Sequence, residues 1–408
     1  MKFPEMYRIQ QTFKADSIKD IEAAVRGRFS KLKADTRPGD SVAIAVGSRG
    51  IHDLQRIVRA VVSCLKERRL SPFIIPAMGS HGGATAEGQK SLLKNMGIHE
   101  DAVGAPIIST MDVVSLGKLS NGTDVFFSKD ALEAEHIVVL NRIKPHTLFR
   151  RPVESGLCKM LVIGCGKHRG AEAIHGIGVA DAIVPAAETI LEKAPVLCGI
   201  AVLENAKGGT QDIQLAMPES FVEIDQRLLK EAWKLFPKIP VDDLDILIVD
   251  EIGKDISGGG MDPNVIGFWR RDGGPREPDY RTLIVLDITA PSHGNAMGIG
   301  WADLTTRRVK DQIDYSAMYM NAITSGVFRA ARVPIALEND RAAIETALSK
   351  LPEPAKARMV RIKNTLDLET FWASKALLPE LREREGINAG VDPVAFQFDN
   401  TGRLRLFE

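Results

Sequence analysis

Short apolar runs alternate along this chain with stretches in which apolar residues recur every three or four positions. SVAIAV from Ser41, PFIIPA at 72–77, HIVVLN at 136–141, LCGIAVL at 197–203, DILIVD at 245–250, TLIVLDI at 282–288 and RVPIAL at 332–337 read as buried strands. Between them, Leu54, Ile57, Val58, Val61, Val62 and Leu65 mark one face of a helix, and 180–193, 306–325 and 340–350 read as further helices. Thr85 is placed to cap the start of another helix, and Gly97 to end it. Strands without polar alternation, separated by helices, predict an α/β fold with sheets covered on both faces. The pattern predicts two α/β domains, 1–238 and 239–408, divided at the proline-marked linker 237–240. An active site in the cleft between them is the expectation for a small ligand.

Chemistry concentrates in two glycine-rich segments. The stretch 141–178, NRIKPHTLFRRPVESGLCKMLVIGCGKHRGAEAIHGIG, sets His146, Lys159 and His175 among glycines with few acidic residues. Glycine clusters where backbone must approach a bound group, and histidine beside such a loop is a candidate acid, base or ligand. Taken alone, the segment admits three readings. It is a solvated loop, or a phosphate-binding turn, or a pocket in which a lysine anchors a group while histidines handle protons or metal. The second has weak support, because GCGKHRGA lacks the spacing of a P-loop. In the other segment, GSHGGAT places His81 after the strand 72–77, at the strand end where open α/β sheets bind ligands. Arg49 occupies the equivalent turn, GSRG, after SVAIAV.

Arg49 in its strand-to-helix turn, His81 in GSHGGAT, His146 in KPH, Lys159 in SGLCK and His175 sixteen residues later together resemble the nickel-dependent lactate racemase family. That resemblance implies racemisation or epimerisation of a 2-hydroxy acid by reversible hydride transfer. It further implies a nickel-pincer nucleotide, pyridinium-3-thioamide-5-thiocarboxylic acid mononucleotide with nickel, joined covalently to Lys159, with Ser155 and Gly156 beside it. His175 would be the protein ligand to nickel, a soft pincer completed by an imidazole suiting the square-planar ion. His81 and His146 would exchange the substrate hydroxyl proton on opposite faces, and Arg49 would bind substrate. The residues at 1–238 would anchor the cofactor and those at 239–408 would complete the substrate site. Proteins that make the cofactor would be partners.

The second half carries a weaker echo. In GGGMDPNVIGFWRRDGG, Asp262 and Asn264 match the family's Asp and Asn, while Ile266 and Gly267 stand where the family has Tyr and Gln. Arg270 replaces a carboxylate-binding lysine, a role that a bidentate guanidinium can fill. Smaller side chains at 266 and 267 predict a substrate larger than lactate. Near Arg49, the family's acidic residue and proline are Val46 and Gly50 here, and about three additional residues precede Lys159, around 150–154. His293, Asn295 and Asp303 follow a strand, a position that fits a structural turn at least as well as the border of the expected cleft.

Composition narrows the classes. Fifty-three basic and 53 acidic residues balance, which argues against a nucleic-acid or membrane surface. The four cysteines form no CxxC pair and read as free, small packing residues in a reducing compartment. Without a membrane-spanning run or a signal-peptide core, the expected location is cytoplasmic. Two other functions compete with the racemase: a nicotinamide-dependent 2-hydroxy acid dehydrogenase, which lacks its G-x-G-x-x-G signature here, and a non-catalytic small-ligand-binding protein.

Overall fold

The computed structural model describes residues 2–48 and 50–405, which form two compact units, one from Lys14 to Phe236 and one from Pro237 onward. The second unit also recruits the chain's first residues, up to Phe13. Strand β1 (Met6–Gln11) pairs antiparallel with strands near the far end of the sequence, so it stands apart from the rest of the span 1–238 expected as one domain. Its pattern of buried Met6, Tyr7 and Ile9 is too short to reveal a partner hundreds of residues away.

The Lys14–Phe236 unit is built on strands β2 (Ser41–Val46), β3 (Ser71–Pro76), β4 (Val113–Lys118), β5 (Asp124–Ser128), β6 (His136–Arg142), β7 (Val196–Glu204) and β8 (Thr210–Ala216). Five of them make a sheet in the order β3-β2-β6-β7-β8, parallel except for β8, while β4 and β5 form a separate hairpin. Side chains on a strand alternate between faces, and here both faces are apolar. Val42, Ile44 and Val46 pack with the helix Leu54–Glu67, whose buried stripe is the one read from the sequence. Ala43 and Ala45 point the other way, toward the helices that carry Leu157, Leu161 and Ile183. Thr85 caps the helix Ala86–Asn95, accepting from the amide of Gly88, and Gly97 turns the chain away at positive φ.

The other unit continues with β9 (Asp243–Val249), β10 (Asp279–Val285), β11 (Leu304–Thr306), β12 (Ile335–Leu337), β13 (Met359–Ile362), β14 (Thr370–Ser374) and β15 (Ile387–Val394). Its eight-stranded sheet runs β12-β11-β10-β9-β13-β14-β1-β15, parallel through β13 and antiparallel beyond. The long helix expected at 306–325 is two helices, Arg307–Gln312 and Tyr315–Ser325. Thr306 caps the first and Asp314 caps the second, and a capping carboxylate in the interior of an apparent helix is a restart signal. The strand expected at 332–337 shortens to its last three residues. Among the described residues no helix is long and apolar enough to cross a membrane.

Candidate active site

In the Lys14–Phe236 unit, the turns after β2, β3 and β6 all leave the carboxyl edge of the parallel strands. The first carries Gly47 and Ser48, the second His81, and the third His146. Arg49, expected in the first turn, lies outside the described residues. Ser48 Oγ lies 2.5 Å from His81 Nδ1, which ties the first two turns together. Buried Gln89 secures the His81 turn from behind, donating to the carbonyls of Gly79 (2.8 Å) and His81 (3.3 Å).

The third turn delivers His146 to Lys159. His146 Nε2 and Lys159 Nζ are 2.5 Å apart, and the imidazole stacks on Phe149 with ring centroids separated by 4.4 Å. The Leu148 amide donates to His146 Nδ1 at 3.1 Å. The His146 amide in turn donates to Glu154 Oε2 at 2.5 Å, and the Arg151 amide to Glu154 Oε1 at 3.3 Å. Glu154 is buried. Burial pushes its carboxyl up to about 7, against the pull of those amides and of the Arg150 and Lys159 charges. It is the lone acid between Asn141 and Ala171, a signal that the sequence offered and that residue spacing alone did not interpret.

Lys159 sits on a single helical turn, Leu157–Lys159, that continues into a π turn, Met160–Gly164, where the Cys165 amide reaches back five residues to the Met160 carbonyl at 2.9 Å. Such turns recur at functional sites because they re-aim side chains. Asp225 fastens the start of this segment, its carboxylate accepting from the amides of Leu157 and Cys158, both at 2.9 Å. A Cβ on residue 156 would lie 2.4 Å from Asp225 Oδ1, so Gly156 makes room for the carboxylate. Burial raises Asp225 to about 6, against those two amides. Asp225 falls in the apolar stripe of its helix with Phe221, Leu228, Leu229 and Ala232, an acid where the pattern calls for a hydrophobe. Ser155 and Gly156 contribute backbone: the Lys144 amide donates to the Ser155 carbonyl (3.1 Å), and Asn141 Nδ2 to that of Gly156 (2.6 Å).

The Lys159 segment also meets the His81 turn. The Gly79 amide donates to the Gly164 carbonyl at 3.3 Å, and a Cβ on Gly164 would come within 2.8 Å of the Ala77 carbonyl oxygen. Fully buried Lys167, at a φ of 53°, donates to the Pro76 carbonyl at 2.6 Å and so braces the start of that turn. Burial lowers its amine's affinity for a proton. His175 follows on the helix Lys167–Ile177. Partial burial holds its imidazole below the ordinary value, and the charge of Lys159 adds to that shift, which places the two in one electrostatic neighbourhood although the His175 residue keeps an exposed side.

The donor set has a definite character. Among the described residues no three His, Cys, Asp or Glu side chains gather as a metal cage. All four cysteines are buried free thiols, and burial pushes Cys165 up to about 12 and Cys158 higher still, so thiolate ligands are not offered. A single imidazole near an amine fits a metal whose remaining ligands arrive with an organic group attached to the lysine.

In the other unit, the residues singled out by sequence are engaged in structure. Asp262 caps the short helix Pro263–Ile266, accepting from the Asn264 amide at 2.9 Å, and Asn264 is buried. Arg270 forms a bidentate pair with Asp303 at 2.6 and 2.7 Å and lies over the rings of Trp269 and Tyr280. Ile266 is fully buried, and Gly267 takes a φ of 94° with Trp269 Nε1 2.5 Å from where a Cβ would stand. His293 occupies a left-handed turn and Asn295 bonds to Asn321 at 3.2 Å.

Comparison with known proteins adds an independent line. The family model described as the lactate racemase N-terminal domain matches residues 5–182. No curated protein matches the sequence. Among solved structures, the chain is similar to the lactate racemase apoprotein from Thermoanaerobacterium thermosaccharolyticum, with 12% identity and a TM-score of 0.56 over 86% of this chain and 93% of that one. At that identity the likeness speaks for the fold. The matched residues 5–182 include His81, His146, Lys159 and His175, so it is the part of the chain carrying these side chains that is similar to the lactate racemase N-terminal domain.

Proposed function

We propose that this protein racemises or epimerises a 2-hydroxy acid, using a nickel-pincer nucleotide joined to Lys159 with His175 as the protein ligand to nickel. The observation that carries this reading is the meeting of His146 Nε2 and Lys159 Nζ at 2.5 Å, with His175 in the field of the same lysine. When bound, the group supplies a reversible hydride acceptor, which lets the stereocentre pass through a planar 2-keto acid. The protein's own work is proton handling and orientation. His146 exchanges the hydroxyl proton at Nε2 on one face of the substrate. His81, its Nδ1 engaged by Ser48, does so at Nε2 on the other. Each histidine is a base in one direction and an acid in the other, a task suited to groups that titrate near neutrality.

Arg49 and Arg270 are the proposed carboxylate anchors, and Asp262 and Asn264 shape the loop before Arg270. For Arg270 to take a substrate carboxylate it must share or exchange its Asp303 partner. A substrate larger than lactate is supported by the small residues at 266 and 267 and opposed by the Trp269 ring packed against Gly267. Lactate, malate, phenyllactate and gluconate offered to the loaded enzyme decide the point by kcat/KM.

Intact mass and metal content test the function itself. Protein made in a host that also makes the nucleotide should carry one nickel and an adduct on the peptide containing Lys159. Absence of both from such protein would overturn the reading. Substrate deuterated at the reacting carbon should keep its label through inversion, whereas rapid loss to solvent would mean carbanion chemistry.

A further inference from the structure

The hydrogen bonds around His146 fix where its protons are. A backbone amide can only donate, so the Leu148 N–H at 3.1 Å requires a lone pair on Nδ1. An imidazole with a bare Nδ1 carries its proton on Nε2, and Nε2 is then a donor toward whatever lies against it. What lies against it, at 2.5 Å, is Lys159 Nζ. An ammonium has three donors and no acceptor, so two donors would face each other across that gap; a neutral amine has one lone pair to receive the N–H. We propose that His146 stores Lys159 as a neutral amine, ready to bond an activated acyl carbon before the enzyme is loaded.

The surroundings agree. Titratable groups around the Lys159 turn include His146, Glu154 in the same loop, Asp225 on the amides of Leu157 and Cys158, and His175 on the next helix; with the amine neutral, the pull of a Lys159 charge on Glu154 and His175 is absent. Glu154 and Asp225, the acids among them, each point both oxygens at backbone amides. An ordinary lysine at pH 7.5 is neutral in roughly one molecule per thousand, so holding the amine neutral raises the reactive fraction by up to about 10³. On attack, the amine nitrogen bonds the acyl carbon, the bond from that carbon to its leaving group breaks with its electron pair, and the nitrogen gives one proton to water. An acylated nitrogen no longer accepts a hydrogen bond well. His146 Nε2–H is thereby released as a proton donor toward substrate; to take a proton back at Nε2, the imidazole must first move its own proton to Nδ1 and give up the bond from the Leu148 amide.

This assignment rests on Lys159 being the attachment point for its purpose, but its test needs neither nickel nor nucleotide. Apo protein labelled with ¹³C-lysine reports the charge of each amine through the Cε shift during a pH titration, and Lys159→Arg identifies the signal. Lys159 should titrate at least about two units below the ordinary 10.4, and His146→Gln should return it toward that value while circular dichroism shows an unchanged fold. Trace acetic anhydride at pH 7.5 should acetylate Lys159 faster than the exposed lysines, and slower by at least tenfold in His146→Gln. A Lys159 midpoint near 10.4, a midpoint indifferent to His146→Gln, or a neutral Lys159 that resists acetylation would each overturn the proposal. A loaded enzyme without nickel would instead overturn the function and leave this result standing.

Discussion

At the carboxyl edge of the sheet in the Lys14–Phe236 unit, the side chains of the proposed site are held against one another: His146 against Lys159, Ser48 against His81. In the unit that begins at Pro237, the polar residues with comparable expectations are bound into structure, Asp262 as a helix cap and Arg270 in a bidentate pair with Asp303. The difference lies in what the backbone supplies. In the first region glycines and buried carboxylates satisfy the main chain, so the side chains are left to face each other. In the second, the side chains themselves satisfy the main chain and balance charge.

The comparison breaks most visibly at Lys159. Lys159→Ala should abolish the covalent adduct and all racemisation while leaving the thermal transition within a few degrees of the parent; adduct formation on another residue would show that the site is elsewhere. His81→Ala and His146→Ala should each reduce turnover by roughly 10²–10⁴-fold, the usual worth of a general acid–base group, with cofactor content preserved for His81→Ala. His175→Ala should lose nickel on dialysis faster than His81→Ala, and equal retention would reassign the ligand.

In the other unit the expected effect is on stability. A double-mutant cycle between Arg270→Ala and Asp303→Ala should show a coupling of roughly 1–3 kcal/mol in denaturant unfolding, as for charge-assisted hydrogen bonds. Little coupling, together with a large rise in KM for Arg270→Ala alone, would move Arg270 to the functional side of the comparison.

Glu154 sharpens the comparison through pH. Its folded-state value, about 7, is above that of an unfolded glutamate, so between about pH 4.5 and 7 the folded protein binds more protons than the unfolded one and this group's contribution falls as pH rises. Glu154→Gln should therefore look worst at pH 5, where roughly 1 kcal/mol is lost with one hydrogen bond, and should recover relative to the parent by pH 8. A gap that widens with pH would mean that the carboxylate is stabilised as an ion. The smallest effect belongs to Thr85→Ala, about 1 kcal/mol of stability for a lost helix cap, read as a shifted denaturation midpoint.

The segments of the proposed site stand out in the sequence because each is short and its pattern is local. A strand end followed by glycines and a histidine announces itself within a dozen residues, and all of Thr85, Gly97 and the stripe from Leu54 behave as their spacing indicates. What stayed hidden is non-local. Asp225 reaches back 67 residues to the Cys158 amide and Lys167 reaches back 91 to the Pro76 carbonyl, and no spacing rule connects such pairs. The 306–325 helix failed for a different reason: Asp314 is compatible with a helix surface and with a cap, and only the bond to the Ala317 amide decides between them.

Strand β1 has a consequence for how the molecule is made. Met6 lies opposite Ser374 on one side and Val394 on the other, so β1 pairs on both sides only after residue 394 has been made. At about 5–20 residues per second, the ribosome leaves that strand waiting for roughly 20–80 s. The Lys14–Phe236 unit has every one of its strands by Ala216 and can fold during that wait. Assembly during synthesis is therefore ordered, with the Lys14–Phe236 unit complete first and Met6, Tyr7 and Ile9 of β1 left uncovered until β14 and β15 emerge.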